Sequence, residues 1–170
     1  MCESYYRQHD DNFFSLMPTN LYGPGDNFNL ETSHVIPAML KKIYEAKFNK
    51  NDTVIFWGSG KPKREFLYVD DLADAVELII TSIEAKDIYD LGISHLNVGS
   101  GKDISITELA NMIQKIIGFK GKIKYDTSKP DGTQKKLLDI SRINDLGWYP
   151  ATSLKDGINK SYNWFLTNNL

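Results

Sequence analysis

Helical and strand-like patterns alternate along this chain, and that alternation constrains its fold more than any other feature. Apolar residues recur at helical spacing in four segments, at residues 36–44, 72–80, 106–117 and 154–165. Five short runs suited to strands lie before and between them, at residues 13–17, 54–57, 66–69, 96–98 and 122–125. Strands that alternate with helices predict an α/β fold with some parallel pairing. The segments 49–52 and 84–92 are expected to be exposed loops.

The third of these helices has signals at both of its ends. Ser105 and Glu108 form the sequence of a capping box, in which each side chain accepts a hydrogen bond from the other residue's backbone N–H. Gly118 can adopt the left-handed conformation that often ends a helix. The second helix follows Asp70 and Asp71, whose negative charges suit the positive end of the helix dipole.

Composition narrows the function classes. The 170 residues are 41% hydrophobic, enough to bury the core of one domain. A net charge of −2 gives no electrostatic argument for nucleic acid or an anionic membrane as partner. The single cysteine, Cys2, excludes an internal disulfide and a cysteine-based metal cluster, and no metal site is predicted. Without a long apolar run, a cytoplasmic location is expected.

The segment from Trp57 to Asp71 contains the groups that a flat, charged ligand requires. Trp57 ends a predicted strand, so its ring can face a cavity, and glycines follow it. Arg64 lies just before the next strand, where a guanidinium can bind phosphate or sugar oxygens with two hydrogen bonds. Only three of the 20 basic residues are arginines, so Arg64 is not part of a general basic surface. A hairpin with a surface arginine and a half-buried tryptophan explains these residues equally well.

This segment resembles the C-terminal signature of the extended short-chain dehydrogenase/reductase family, in which Arg-Glu-Phe-x-aromatic-Val-Asp-Asp leads from a strand into a helix. Segments 17–24, 26–28, 33–38, 129–133 and 146–148 resemble one branch of it, the GDP-L-fucose synthases. Leu-Tyr-Gly-Pro and Arg-Glu-Phe fit many sugar-nucleotide epimerases and dehydratases. Asp-Asn-Phe, Ser-His-Val-Ile-Pro and Lys-Pro-Asp-Gly-Thr point to the fucose synthases in particular. The resemblance runs from Cys2 to about Phe165.

The resemblance implies that the chain is the C-terminal part of an extended short-chain dehydrogenase/reductase. Such enzymes begin with Gly-x-x-Gly-x-x-Gly and carry a catalytic Ser and Tyr-x-x-x-Lys, and neither pattern occurs in these 170 residues. Residues 1–8 resemble the tail of a helix. We therefore expect residues 1–33 to be a remnant of the Rossmann domain, with the end of its sheet. Residues 34–170 should form mainly the smaller α/β substrate-binding domain.

The resemblance also assigns the cofactor and the proton-transfer group. In isolation His34, at the start of a helix, could be a surface or capping residue, although the helix dipole favours the neutral imidazole that a proton shuttle needs. By resemblance, His34 is catalytic and lies near the nicotinamide of NADP (NADPH). Pro18, Thr19, Asn20 and Leu21 line the same side of the cofactor, and Asn20 also lies near the sugar.

The GDP-sugar substrate is assigned in the same way. The residues that the resemblance places at the substrate are Asn20, Val35, Lys42, Trp57, Arg64 and Asp131. The family often has arginine at the position of Lys42, and lysine keeps the charge but loses the paired hydrogen bonds. A solvated helix lysine is the alternative for Lys42, and a simple turn residue is the alternative for Asp131.

The implied activity belongs to the parent enzyme, a homodimer that converts GDP-4-keto-6-deoxy-D-mannose to GDP-L-fucose by NADPH-dependent epimerisation and reduction. The family's second proton-transfer residue is a cysteine of the missing N-terminal Rossmann half and is not Cys2. The chain alone is therefore expected to be inactive. Two alternatives remain: a non-catalytic sugar-nucleotide-binding module, and another NAD(P)-dependent nucleotide-sugar epimerase or dehydratase.

Overall fold

The computed structural model describes residues 1–168 and confirms the predicted α/β fold. Its helices are α1 (Cys2–His9), α2 (Val35–Phe48), α3 (Val69–Ser82), α4 (Ala85–Asp90), α5 (Ile106–Ile117), α6 (Ser141–Asp145) and α7 (Leu154–Asn168). Its strands are β1 (Ser15–Pro18), β2 (Asn20–Tyr22), β3 (Thr53–Trp57), β4 (Lys63–Tyr68), β5 (His95–Val98), β6 (Asp103–Ser105), β7 (Lys122–Asp126) and β8 (Lys135–Lys136). Among these helices, none is long and apolar enough to cross a membrane.

All four helices predicted from periodicity are present as α2, α3, α5 and α7. The prediction of a loop at residues 84–92 was wrong, because this segment contains the six-residue helix α4. Ala85 and Ile88, three residues apart, are both buried against the neighbouring core. The helix start is also held from outside, since the Ala85 N–H donates to the Asn12 side chain at 2.6 Å.

β4 is the central strand of the molecule. Its first half, residues 63–65, pairs antiparallel with β6, and residues 63–64 also pair parallel with β8. Its second half, residues 66–68, pairs parallel with β2. The strand begins three residues earlier than predicted, so Arg64 lies within it rather than before it. Two further parallel pairs, β1 with β5 and β3 with β7, stand beside this sheet.

Two hydrophobic cores lie on the two sides of β4. The first packs α2, α5 and α7 against β3, and the second packs α3, α4 and α6 around β5. Side chains alternate along a strand, so Phe66 and Tyr68 belong to the first core and Leu67 to the second. β1 lies in the predicted Rossmann remnant but pairs with β5, far along the chain. The division after residue 33 stays a prediction.

The capping box at the start of α5 is confirmed. The hydroxyl of Ser105 accepts a hydrogen bond from the Glu108 N–H at 3.2 Å, and the Glu108 carboxylate accepts one from the Ser105 N–H at 3.0 Å. The hydrogen bonds from the side chain and backbone of Ser105 lower the pKa of Glu108. Gly118 ends the helix with a φ of 71°.

We predict that Ser105→Ala lowers the free energy of unfolding by about 0.5–2 kcal/mol, because the Glu108 N–H loses its partner. Urea denaturation at neutral pH measures the difference. Ser94→Ala is the matched control, since this exposed hydroxyl contacts only the ring of the adjacent His95 among the described contacts. Equal stability of the two variants would contradict a stabilising cap.

An open strand edge carries exposed apolar side chains. Within the described residues β1 pairs with β5 alone, so its other edge keeps unpaired N–H and C=O groups. Phe13, just before β1, and Met17, within it, are about half exposed. Such an edge is suited to pairing with another strand.

We predict that the isolated chain self-associates through this edge and that Met17→Lys weakens the association. A charge on an edge strand opposes pairing because it must be desolvated. Sedimentation velocity over a range of concentrations measures the effect. Ile80→Lys is the control, since Ile80 is an exposed apolar residue on helix α3. A monomer at all concentrations would contradict the prediction.

Candidate functional site

A first cavity of about 490 Å³ opens where β2 leads into the loop before α2. Its lining residues are Thr19, Asn20, Leu21, Tyr22, Gly23, Pro24, Gly25, Asp26, His34 and Val69. The cavity begins beyond the carboxyl end of β1, the edge at which parallel α/β sheets place ligands. Its wall combines apolar side chains, such as Leu21 and Val69, with the polar Thr19 and Asn20.

A second cavity of about 330 Å³ lies between α2 and the end of β3. Its lining residues are Leu30, Ser33, His34, Val35, Ala38, Met39, Lys42, Phe56, Trp57 and Ile106. The Trp57 side chain is 72% exposed, as a ring at the mouth of a cavity would be. The Nζ of Lys42 donates to the Ile55 carbonyl at 3.4 Å and lies 5.9 Å from the centre of the Phe56 ring.

His34 lines both cavities and is the residue that joins them. It is the N-cap residue of α2, with extended backbone, and its side chain makes no capping hydrogen bond. The imidazole is exposed and therefore accessible to a ligand in either cavity. The adjacent Ser33 has a buried hydroxyl oxygen for which residues 1–168 offer no hydrogen-bond partner.

Two of the residues predicted to line the cofactor are bound to one backbone carbonyl. The Asn20 amide donates to the Glu65 carbonyl at 2.8 Å, and the Thr19 hydroxyl donates to the same oxygen at 3.3 Å. Leu21 continues along β2 beside them. Pro18 lies in β1 opposite Val98, outside the lining of the first cavity.

Arg64 and Asp131 lie outside both cavities, beside the loop of residues 127–134. The Nη1 of Arg64 donates to the carbonyls of Lys63 at 2.7 Å and Thr133 at 2.5 Å. The Asp131 carboxylate accepts from the Ser59 hydroxyl at 2.6 Å and the Ser59 N–H at 2.8 Å, and these bonds lower the pKa of Asp131. Both contacts fasten this loop near Trp57.

The structure therefore gathers most of the predicted site residues into one region. His34 meets Thr19, Asn20 and Leu21 in the first cavity, and it meets Val35, Lys42 and Trp57 in the second. Arg64, Asp131 and Pro18 lie outside the linings of both cavities. The ligands assigned to these residues remain predictions.

Sequence reasoning missed the buried carboxylate of Glu65, which has no exposed surface. An acidic residue directly before the apolar run Phe66–Tyr68 was the available signal, since a buried charge must find hydrogen-bond donors. It also missed the buried Tyr22, whose hydroxyl donates to the Leu154 carbonyl at 3.4 Å and whose pKa is raised by burial.

Together these groups can bind an anionic, hydroxyl-rich ligand and move a proton. Lys42, in the same cavity as Trp57, and Arg64, on β4, supply positive charge, and the Trp57 ring offers a face for a flat base. At the junction of the cavities, His34 presents an imidazole, a group that can donate or accept a proton. A ligand whose sugar reaches that junction would meet the imidazole.

Known proteins resemble this chain over nearly its full length. A model of the NAD dependent epimerase/dehydratase family matches residues 1–99. Putative GDP-L-fucose synthase 2 of Arabidopsis thaliana is 51% identical over 99% of this chain and 49% of its own length. GDP-L-fucose synthase of Escherichia coli is 48% identical over 99% of this chain and 53% of its own length.

A solved structure agrees with these relatives. The chain superimposes on the crystal structure of a GDP-L-fucose synthetase from Naegleria fowleri bound to NADP with a TM-score of 0.81. The identity is 33%, and the match covers 92% of this chain and 47% of the other. The chain thus spans about half the length of the curated relatives it matches. These matches confirm the resemblance drawn from the sequence motifs: the chain belongs to the NAD-dependent epimerase/dehydratase family.

Proposed function

We propose that this chain is the substrate-binding part of a GDP-L-fucose synthase. The whole enzyme would epimerise GDP-4-keto-6-deoxy-D-mannose and reduce it to GDP-L-fucose with NADPH. It would include a Rossmann half in addition to these residues, act as a homodimer in the cytoplasm, and bind neither nucleic acid nor membranes. The observation that carries the proposal is the position of His34 between the two cavities.

The second cavity suits the GDP-sugar. Trp57 stands at its mouth, Lys42 lies on its α2 wall, and Val35 lies on the same helix beside His34. Among the described hydrogen bonds Arg64 uses only Nη1, which leaves its other N–H groups for diphosphate oxygens. Asp131, two residues from Thr133, would accept hydrogen bonds from the nucleoside. The diphosphate would then lie between Lys42 and Arg64.

The first cavity suits the nicotinamide end of the cofactor. Its volume lies within the usual range for small-molecule sites. Leu21 and Val69 offer an apolar wall for a flat ring, and the Asn20 amide oxygen is free of the bond that its nitrogen makes to Glu65. When bound, NADPH supplies the hydride that reduces the ketone. The chain's own residues orient the ring and keep it beside His34.

His34 would act on the carbons next to the ketone. A ketone makes its neighbouring C–H bonds acidic, because the negative charge left by the proton is delocalised onto oxygen. A neutral imidazole within reach can take or return that proton, and return to the opposite face inverts the carbon. The exposed ring of His34, free of any capping bond, is available for this role.

The two alternatives make different use of the same cavities. A sugar-nucleotide-binding module would bind GDP without turnover in any assembly, and it would not need His34. Another nucleotide-sugar epimerase or dehydratase would use His34 or the proposed cofactor wall of the first cavity. It would, however, prefer a different nucleotide. The fucose synthase proposal is favoured because relatives that are 51% and 48% identical over 99% of this chain are GDP-L-fucose synthases by name.

We predict that the isolated chain binds GDP more tightly than NADPH and that Arg64→Ala weakens GDP binding. Loss of a hydrogen bond to a charged group costs about 1.5–3 kcal/mol, roughly ten- to a hundredfold in Kd. Titration calorimetry measures both ligands. Arg7→Ala is the control, since the exposed Arg7 of α1 forms its salt bridge in the described part of the chain with Glu3. Tight NADPH binding without GDP binding would contradict the assignment, as would unchanged affinity in Arg64→Ala.

We predict that His34→Asn slows epimerisation in an active enzyme built from this chain. The test uses a chimera in which the chain replaces the matching half of the Escherichia coli relative. Solvent deuterium uptake into the sugar should fall roughly 10²–10⁴-fold, the usual contribution of one general acid or base. Hydride transfer, followed by NADPH oxidation, should persist with any keto-sugar that still reacts.

The control for this experiment is Ser94→Ala in the same chimera, a substitution far from His34 in sequence and outside both cavities. NMR of the sugar protons reports exchange, and absorbance reports NADPH. Exchange at the wild-type rate in His34→Asn would remove His34 from the proton-transfer step and leave it as the N-cap residue of α2.

A further inference from the structure

The carboxylate of Glu65 is fully buried and is satisfied by backbone donors. Its Oε1 accepts from the Gly101 N–H at 2.7 Å, and its Oε2 accepts from the Leu138 N–H at 2.9 Å. The Ser100 hydroxyl also reaches Oε1, at 3.5 Å. Within residues 1–168, no lysine, arginine or histidine forms a salt bridge with it. Hydrogen bonds to N–H groups therefore hold this buried carboxylate.

The main chain of the same residue supports the predicted cofactor wall. The Glu65 carbonyl accepts the hydrogen bonds of both Thr19 and Asn20. Glu65 is also the residue at which β4 changes partners, from β6 on one side of it to β2 on the other. Arg64 precedes it in the strand and faces the opposite side. Glu65 is thus hydrogen-bonded to the predicted cofactor wall, and it follows directly after Arg64, the residue predicted to bind the diphosphate.

The side chain connects this junction to the second core. Gly101 lies against Ile140, and Leu138 packs on the same core. The two N–H bonds therefore fix β4 relative to that core. If they were lost, β4 could shift at residues 64 and 65, and the Glu65 carbonyl and the Arg64 side chain would move with it.

We propose that Glu65 is a positioning residue that holds the Thr19–Asn20 wall and the Arg64 guanidinium in a fixed relation to each other. The identity of the ligands on the two sides rests on the proposed function, whereas the positioning itself is a property of this chain. A purely structural carboxylate would add stability without controlling the geometry of either group.

Asp71 provides a matched control for that distinction. It is also buried, and its carboxylate also accepts one N–H and one hydroxyl, both from Thr152, at 3.1 and 3.0 Å. Among the described hydrogen bonds, none joins Asp71 to Thr19, Asn20 or Arg64. Asp71→Asn should therefore destabilise the chain without disturbing the site.

The first test compares Glu65→Gln with Asp71→Asn. Glutamine keeps the size of the side chain but turns one acceptor oxygen into an NH₂ group, which then faces the N–H of Gly101 or Leu138. Both variants should unfold at lower temperature. Glu65→Gln should weaken GDP binding about tenfold, as for loss of one hydrogen bond to a charged group. Asp71→Asn should change it by less than about twofold, as for an independent site.

Gly99→Ala disturbs the same carboxylate without changing it. A Cβ at residue 99 would overlap the carboxylate of Glu65 and lie 3.0 Å from its Cδ. We expect Gly99→Ala to weaken GDP binding in the same direction as Glu65→Gln. The double variant should lose less affinity than the sum of the two single losses, because both act through one carboxylate.

A second readout does not depend on GDP. The NMR resonances of the Asn20 side-chain amide and of the Arg64 guanidinium, whose Nη1 donates to the Lys63 and Thr133 carbonyls, report the hydrogen bonds of these two groups. Both should shift in Glu65→Gln and Gly99→Ala and stay unchanged in Asp71→Asn. Unmoved resonances in Glu65→Gln, or equal losses of GDP affinity in Glu65→Gln and Asp71→Asn, would overturn the positioning role. Failure of the wild-type chain to bind GDP would instead overturn the proposed function, and the resonances would still decide the role of Glu65.

Discussion

The pairing of β4 along both of its edges is the constraint on which the two cavities depend. β6 and β8 pair with its first half, and β2 pairs with its second half. Because side chains alternate, the strand contributes Phe66 and Tyr68 to one core and Leu67 to the other. β2 supplies a wall of the first cavity and is itself paired with β4, so the position of that wall depends on the position of β4. Residues 66–68, which lie between the two cores, can move only if both cores repack, and close packing resists that.

The sequence predicted the long elements and the site region but not the junction between them. The four long helices were found because each repeats an apolar stripe, and α5 also carries its capping box. β2, β6 and β8 were missed, and residues 18–21 were predicted as a loop, because strands of three, three and two residues are too short to show an alternating pattern. Glu65 was missed for another reason: its burial depends on N–H groups of Gly101 and Leu138, which are far away in the chain. Local patterns cannot reveal donors that only the tertiary fold supplies.

The polar groups around the second cavity are already hydrogen-bonded, and this affects how they would bind a ligand. Arg64 is held by two carbonyls through a single nitrogen, and Asp131 is held by Ser59 through both carboxylate oxygens. A guanidinium has five N–H groups and a carboxylate about four acceptor sites, so both can add a ligand without breaking present bonds. Side chains fixed in advance lose less conformational freedom on binding. Lys42 is less restrained, with one long bond to a carbonyl.

Different elements hold the groups proposed for proton transfer and for hydride transfer. His34 caps the N-terminus of α2, and Met39 and Ile43 of that helix pack in the first core. The proposed cofactor wall at Asn20 is held instead by the carbonyl of Glu65, whose side chain accepts hydrogen bonds from loop residues packed on the second core. In the proposed reaction a proton must leave a carbon and a hydride must reach the ketone next to it. The distance between His34 and the proposed cofactor wall therefore depends on how the two cores are joined. β4 contributes side chains to both cores and so joins them.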